Sequence, residues 1–546
     1  MSIEINVRDF GAKPDRSDAT LAVLSALAAC RASVDAVLVF PKGDYHFYPE
    51  TAHEMYAAIS NNSHGLKRCA LPLLGLNGLT VKGNGSRLVM HGIMMGVIIS
   101  ASSDVTIEDI SIDWEHPFYA QGDVVDASEK HFDMKIPSAF PYAIKKDVLV
   151  FPGEGCEFPL THFLEFDPAT RAVAYMALDN AGSPWHIERR AEALAGGAVR
   201  IFADMKTPPK KNNVMVLRTG TRHSPGIFID ESRDVRFTNV TVNHCGGMGF
   251  IGQNTENITL SHCSVTPSGD RMFSASADAT HFVYCRGMIR IENCLFENQL
   301  DDPGNVHGIY GRLDERIDEK TALVRLVHHE QVGINIAKAG ERMRFVSNRT
   351  LLPFAESTVT GVRILNVDRM LVTFDALPQF SPGDVIENMN RVPDLIITGT
   401  TARRNRARGF LITTAGKVIV ENNTLSTPGS ALKISGDANS WYESGAVSDV
   451  TIRNNKFIDC NYGVWGRAVI DIDPEMPEFS DKCYHRNIRI EQNLFRTFDT
   501  GLVYARSVDG LSFTGNIMEK TVSYKPRERM KQALTAEHCA NVNSDR

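Results

Sequence analysis

The sequence predicts an all-β fold, a parallel β-helix carrying two inserted β modules. Three observations lead there. A short phrase of alternating apolar residues recurs about every 23 residues; its sixth position is repeatedly Asn or Cys; and no amphipathic helix of ten or more residues separates the copies. The phrase reads VRFTNVTV from Val235, ITLSHCSV from Ile258, IRIENCLF from Ile289 and LIITGTTA from Leu395. It continues as VIVENNTL from Val418, VTIRNNKF from Val450, IRIEQNLF from Ile488 and LSFTGNIM from Leu511, with earlier copies at Leu79 and Val105. Apolar residues two apart give a strand one buried face, and the break in alternation marks a bend. Helices between strands would instead signal βαβ units. A β-sandwich with coincidental spacing is the plainer alternative, and it does not explain why the phase of the repeat survives.

The sixth position holds Asn84, Cys263, Cys294, Asn423, Asn455, Asn493 and Asn516. Stacked coils bring equivalent residues to about 4.8 Å, so these side chains are expected to form ladders. Asn also tolerates the left-handed backbone a bend requires. At the front, TLAVLSALAACRA reads as a short capping helix, with Ser17 or Asp18 as its N-cap. A solenoid end exposes unpaired apolar surface, so a cap is expected. LVFPKGDYHF, Leu38 to Phe47, is then the first coil.

Two stretches lack the phrase and carry turn signals among β-branched and aromatic residues, and both read as barrels or sandwiches inserted at surface turns. The expected organisation is a cap with first coils (1–118), a β module (119–220), central coils (221–312), a second β module (313–392), C-terminal coils (393–520) and a tail (521–546).

A formal charge of −7 over 546 residues, with no basic stripe, argues against nucleic acid as a partner. No signal peptide and no apolar run long enough to span a bilayer are read, which leaves the compartment open. The ten cysteines lack CxxC pairs and His partners at zinc spacing, so they are expected as buried thiols, with no metal or cofactor. Inserted β modules often supply contacts between protomers, so a homo-oligomer also stays open.

The densest polar patch in the strand-forming region runs from Phe273 to Arg312. Asp278 lies 23 residues before Asp301, one short coil apart, so the two carboxylates are expected side by side. Paired carboxyls flanking a glycosidic bond are the machinery of glycoside hydrolysis: one protonates the leaving oxygen, the other activates water. Like charges held together drive the two pKa values apart. In a regular strand Asp302 would face the core, an expensive place for a carboxylate. Asp301-Asp302 is therefore expected at a strand end or bend, as Pro303 and Gly304 suggest, with both carboxyls reaching one cleft. The plain reading of DDPGN is a polar surface turn.

His307 is a candidate for binding a sugar hydroxyl or tuning an acid, and Asn305 stands beside it in the same NVHG string. Arg271 is expected either to clamp sugar hydroxyls from the face of Asp278 or to pair with Asp270 at the surface. In GDANSWYESG, Trp441 reads as a sugar platform and Glu443 as its hydrogen-bonding carboxylate; Trp441 packing its own loop is the alternative. Trp114 is a weaker candidate of the same kind.

At IDWEHPF, RHSPGIFID, ADATHFVYCRG, DDPGNVHG and SWYESG the chain resembles glycoside hydrolase family 110, the α-1,3-galactosidases that release terminal α-1,3-linked galactose, including from the blood-group B determinant. The likeness runs through most of the chain. It implies a right-handed parallel β-helix and an inverting, metal-independent hydrolase acting on a galactose-containing glycan. The family is also similar in site layout to the polygalacturonases, which implies Asp301 as general acid and Asp278 with Asp302 as water-activating bases. An enzyme of uronate polymers and a non-catalytic glycan-binding solenoid are the competing readings. The former calls for a cation facing the substrate carboxylate, the latter for aromatic-rich grooves.

Overall fold

The computed structural model describes residues 3–33 and 35–545. It is a parallel β-helix. Each regular coil contributes one strand to a 13-stranded sheet and two short strands, flanking a bend, to a 21-stranded sheet. The phrase sets the register. Its first residues pair coil to coil in one line: Leu79, Val105, Val235, Ile258, Ile289, Leu395, Val418, Val450, Ile488, Leu511. All ten are buried. Burying such side chains is worth roughly 1.5–3 kcal/mol each, so the stack supplies a large share of the solenoid's cohesion.

The bend divides its work between two positions. The fifth residue of the phrase takes the left-handed conformation: His262, Asn293, Gly399, Asn422, Asn454, Gln492 and Gly515 all have φ between 54° and 65°. The sixth residue turns inward instead. Asn423 Nδ2 donates to Asn455 Oδ1, Asn455 to Asn493 and Asn493 to Asn516, each at 3.0 Å. Each Oδ1 also accepts the backbone N–H of the residue before it in the stack. Asn84 is the exception, being itself left-handed (φ 51°) and donating to the Phe40 carbonyl. The ten cysteines are free thiols, seven of them buried.

The cap is a helix, Thr20–Arg31, packed on the first coils. The N-cap is Ala19, with no side-chain cap, rather than Ser17 or Asp18. Asp18 stands one residue earlier, where its Oδ1 accepts the Thr20 backbone N–H at 2.9 Å. Beyond residue 520, where a tail is expected, Leu534–Glu537 and Ala540–Ser544 instead pair in parallel with Val503–Arg506 and Val508–Thr514. The segment is another coil. Its copy of the apolar pattern is short and mostly exposed, with Val542 opposite Leu511, so alternation alone does not reveal it.

Both phrase-free stretches form antiparallel structure. Strands from Ala120–Ala127 to Val214–Arg218 make a seven-stranded sheet, with a three-stranded sheet beside it. Six strands between Gly311–Arg316 and Val385–Asn388 close into a barrel. The coil stack passes both insertions without losing register, since Val105 pairs with Val235 and Ile289 with Leu395.

Candidate active site

The outer face of the 13-stranded sheet carries the polar residues. Along each strand alternate side chains enter the core, as Phe282, Val306, Phe410 and Ile412 do. Their neighbours point out and stack in register as His281, Asn305, Leu411, Lys433 and Asp471. These five residues form one wall of a cavity of about 620 Å³, a size suited to a small ligand. The first inserted module adds His162, Trp185, His186 and Arg218; the second adds His328, His329 and Glu330; later coils add Trp441, Glu443 and Trp465. Three of the four tryptophans in the chain therefore face this space.

Asp278, Asp301 and Asp302 converge in the cavity, with one oxygen of each within 4.8 Å of the others. Strand register pairs Thr280 with Gly304, an offset of 24 residues. The residue stacked on Asp278 is thus Asp302, whose N–H donates to Asp278 Oδ1 at 3.2 Å; Asp301 sits one residue earlier, in the bend before Gly304–Ile309. The bend lets both members of the Asp301-Asp302 pair reach the same space. Side-chain exposure falls from 15% for Asp301 to 8% for Asp278 and 3% for Asp302.

Arginines hold two of the three acids. Arg406 Nη1 lies 2.8 Å from Asp301 Oδ1 while its Nε and Nη2 clasp Asp179. Arg222 Nη2 reaches Asp301 Oδ2 at 3.2 Å and Nη1 lies 3.3 Å from Glu330. Arg408 donates to Asp302 from its backbone N–H at 2.7 Å and from Nη2 at 3.0 Å. Asp278 has no such partner; its Oδ2 meets His281 Nδ1 at 2.8 Å. Burial, followed by the charge of Asp301, raises the Asp278 carboxyl well above the usual range. Burial also raises Asp302, against the pull of Arg408. Three such acids could in principle hold a cation, but guanidinium groups already occupy the lone pairs of Asp301 and Asp302.

Of the other residues singled out by sequence, Trp441 is 40% exposed and stacks on His328, with ring centroids 4.2 Å apart, at the cavity wall. Glu443 lines the cavity and its Oε1 lies 3.4 Å from Asn305 Nδ2. Asn305 Oδ1 is buried without a hydrogen-bond partner. His307 is sealed behind His281 rather than open to a sugar, because the outward face of its strand is covered there by Glu443. Arg271 does not reach the cavity. Its guanidinium is buried against Asp113, 2.6 Å away, and Ser268, so it pairs neither with a sugar nor with Asp270. Trp114 is likewise elsewhere: it is buried, donates to the Gly92 carbonyl at 3.1 Å and packs on Phe118.

Sequence reasoning missed His281, Arg222, Arg406, Arg408, Trp185 and Trp465. His281 and Arg222 stand inside strings already singled out, ATHF and RHSPG. The run RRNRARG places Arg406 and Arg408 on the coil after Asp301-Asp302, where their charge signals an acidic partner.

Comparison with known proteins decides the family. The chain is 37% identical to α-1,3-galactosidase B of Bacteroides thetaiotaomicron and 36% identical to α-1,3-galactosidase A of Shewanella woodyi, each alignment covering 98% of this chain and 89% of the relative. It belongs to the α-1,3-galactosidase family. Models of the GLAA-B β-barrel domains I and II match residues 120–215 and 321–386, the two insertions of this family member. Among solved structures, an exopolygalacturonase of Thermotoga maritima aligns over 99% of this chain and 91% of its own, with 12% identity and a TM-score of 0.43.

Proposed function

We propose that this protein is an exo-acting, inverting glycoside hydrolase that releases terminal α-1,3-linked galactose from oligosaccharides or glycans. The observation that carries the reading is the convergence of Asp278, Asp301 and Asp302 in a cavity walled by Trp185, Trp441 and Trp465. Aromatic rings cover the apolar face of a pyranose, and carboxyls do the proton transfers that glycoside cleavage requires. The relatives named α-1,3-galactosidase support the linkage and the sugar. Both inserted modules wall the cavity, which favours a chain end over the middle of a polymer.

Asp301, the most accessible of the three, gives its proton to the glycosidic oxygen. Asp278 and Asp302 take a proton from the attacking water. Three carboxyls so close cannot all be ionised, and burial raises both Asp278 and Asp302, so the buried pair keeps its protons. Arg222 and Arg406 contact Asp301. Delivery by Asp301 then requires that an entering sugar loosen these contacts and that the Asp302 proton cross to Asp301.

The three acids each bring an oxygen within 4.8 Å of the others, closer than the ~6.5–9.5 Å common between inverting carboxyls and nearer the ~5–5.5 Å of retaining pairs. Inversion is nonetheless preferred because Asp278 and Asp302 are recessed, and a recessed carboxylate reaches an anomeric carbon through water more readily than by direct attack. The relatives named α-1,3-galactosidase favour a neutral sugar over a uronate. Arg222, Arg406 and Arg408 are each committed to a carboxylate of the protein itself, which leaves Arg218 and Lys433 as the cavity cations a uronate would have to meet.

The test is incubation with α-1,3-galactobiose, a branched blood-group B trisaccharide, p-nitrophenyl α-galactoside and polygalacturonate, with proton NMR of the released sugar. First-formed β-galactose from the galactosides alone is the expected result. First-formed α-galactose would replace inversion by double displacement, and cleavage of polygalacturonate alone would overturn the substrate.

A further inference from the structure

The two imidazoles behind Asp278 are joined end to end. His281 Nδ1 lies 2.8 Å from Asp278 Oδ2, and His281 Nε2 lies 3.0 Å from His307 Nε2. His307 Nδ1 lies 2.7 Å from the Gly308 carbonyl oxygen, which only accepts, so Nδ1 carries a hydrogen. Each of the other two contacts also needs one hydrogen between its atoms. The three contacts therefore use three hydrogens, one more than two neutral imidazoles supply. The additional hydrogen is the acid proton of Asp278, and the trio is uncharged overall wherever that proton resides. With both rings neutral it sits on Asp278 Oδ2. At the other extreme it sits on His307, whose Nε2 faces Glu443 Oε1 at 3.6 Å.

We propose that His281 and His307 form a proton relay that carries the acid proton of Asp278 towards Glu443 and back, switching Asp278 between carboxylic acid and carboxylate. The proposal rests on the reading of Asp278 as a base for the attacking water. The relay meets a difficulty that burial creates, since a base only 8% exposed and stacked on a second acid has little solvent to take its proton.

The step balances. Asp278 Oδ2–H gives its proton to His281 Nδ1 while His281 Nε2–H passes to His307 Nε2, leaving a carboxylate and an imidazolium. Asp278 then takes one proton from water as Asp301 gives the departing sugar oxygen the proton it received from Asp302. The proton gained by Asp278 passes to Asp302 across the cluster, and the relay runs backwards, which restores the buried pair. His281 suits the middle position: burial first, and the facing His307 second, hold its pKa well below the usual histidine value, so it passes a proton rather than keeping one. Glu443, Arg222 and Asp301 are the other charged groups that act on it. Glu443 also lines the cavity, so a sugar hydroxyl bonded there would feel the state of the relay.

His281 and His307 are positioning residues that act through Asp278, and the test separates this from mere support. In His307→Gln, His281 loses its proton acceptor, so ionising Asp278 means expelling a proton to solvent. On α-1,3-galactobiose, kcat should fall at least about tenfold with KM nearly unchanged, and the acidic limb of the pH–rate profile should move up by about one unit. An active wild type whose His307→Gln variant keeps both kcat and that limb overturns the relay alone. A wild type that cleaves no α-galactoside overturns the functional reading and the relay's role with it. Nitrogen-15 NMR of histidine-labelled wild type needs no variant to fold: it should find His281 protonated at Nε2 and His307 at Nδ1. A bare His307 Nδ1 overturns the hydrogen count.

Discussion

Asp302 donates its backbone N–H to the Asp278 carboxylate across adjacent coils, at 3.2 Å, so the two acids are locked together by the solenoid's own stacking. A backbone hydrogen bond to Oδ1 leaves Oδ2 for His281 and fixes which way the carboxyl faces. The pair is therefore a fixed part of the coil, and Asp301, held by Arg222 and Arg406, is the most accessible of the three acids.

Asp301→Asn, Asp278→Asn and Asp302→Asn should each lower kcat on α-1,3-galactobiose by about 10²–10⁴-fold. If Asp301 is the acid, its variant should be far less impaired on p-nitrophenyl α-galactoside, whose leaving group departs unaided. Comparing steady-state rates on the two substrates checks the assignment.

The same substitutions should part company in stability. Asp278 has a folded pKa raised above its unfolded value near 3.9, so the folded form binds the proton more tightly. Its contribution is fully present below about pH 4 and declines as pH rises through the folded pKa. Asn can donate an N–H to His281 Nδ1 as the protonated acid does, without titrating. Asp278→Asn should therefore raise the melting temperature at neutral pH and flatten its pH dependence. Asp302 is raised by burial too, but its two oxygens accept from the Arg408 backbone N–H and Nη2. Asn turns an NH2 toward one of these donors, so Asp302→Asn should raise the melting temperature less than Asp278→Asn does. Thermal unfolding from pH 4 to pH 9 reads both.

Trp441→Ala and Arg271→Ala offer a contrast. Trp441 stands 40% exposed in the cavity wall, so its loss should raise KM about tenfold with little change in melting temperature. Arg271 is paired with buried Asp113 away from the cavity, so its loss should destabilise the fold while KM holds. Kinetics beside calorimetry tell the two apart.

Asn455 sits mid-ladder, between Asn423 and Asn493. Asn455→Ala removes hydrogen bonds on both sides and strands buried polar groups, each costing about 1–3 kcal/mol. Chemical denaturation should show a loss of several kcal/mol, whereas Asn84→Ala, outside the ladder, should cost less.

The repeating phrase was readable because its apolar residues recur in phase, and those positions are the stacked core line from Leu79 to Leu511. The amide ladder was readable too, although the residue that takes the bend stands one place before the one that turns inward. Counting residues between acids did not suffice, since the true offset of 24 stacks Asp278 on Asp302. Arg271 misled because strand alternation fails in the irregular segment around it, where its partner Asp113 comes from a coil 158 residues away. Trp185, Arg406 and Asp179 meet only through tertiary contact between an insertion and a later coil, which no local pattern records.

The unbroken register across both insertions has an engineering consequence. Val105 meets Val235, and Ile289 meets Leu395, as though nothing lay between them. The spiral thus works as a chassis and each insertion as a cassette docked at its entry and exit turns. Exchanging a cassette with that of a relative would reshape the cavity rim, and Asp301 would keep its place only where the incoming cassette again supplies the carboxylates that Asp179 and Glu330 offer to Arg406 and Arg222.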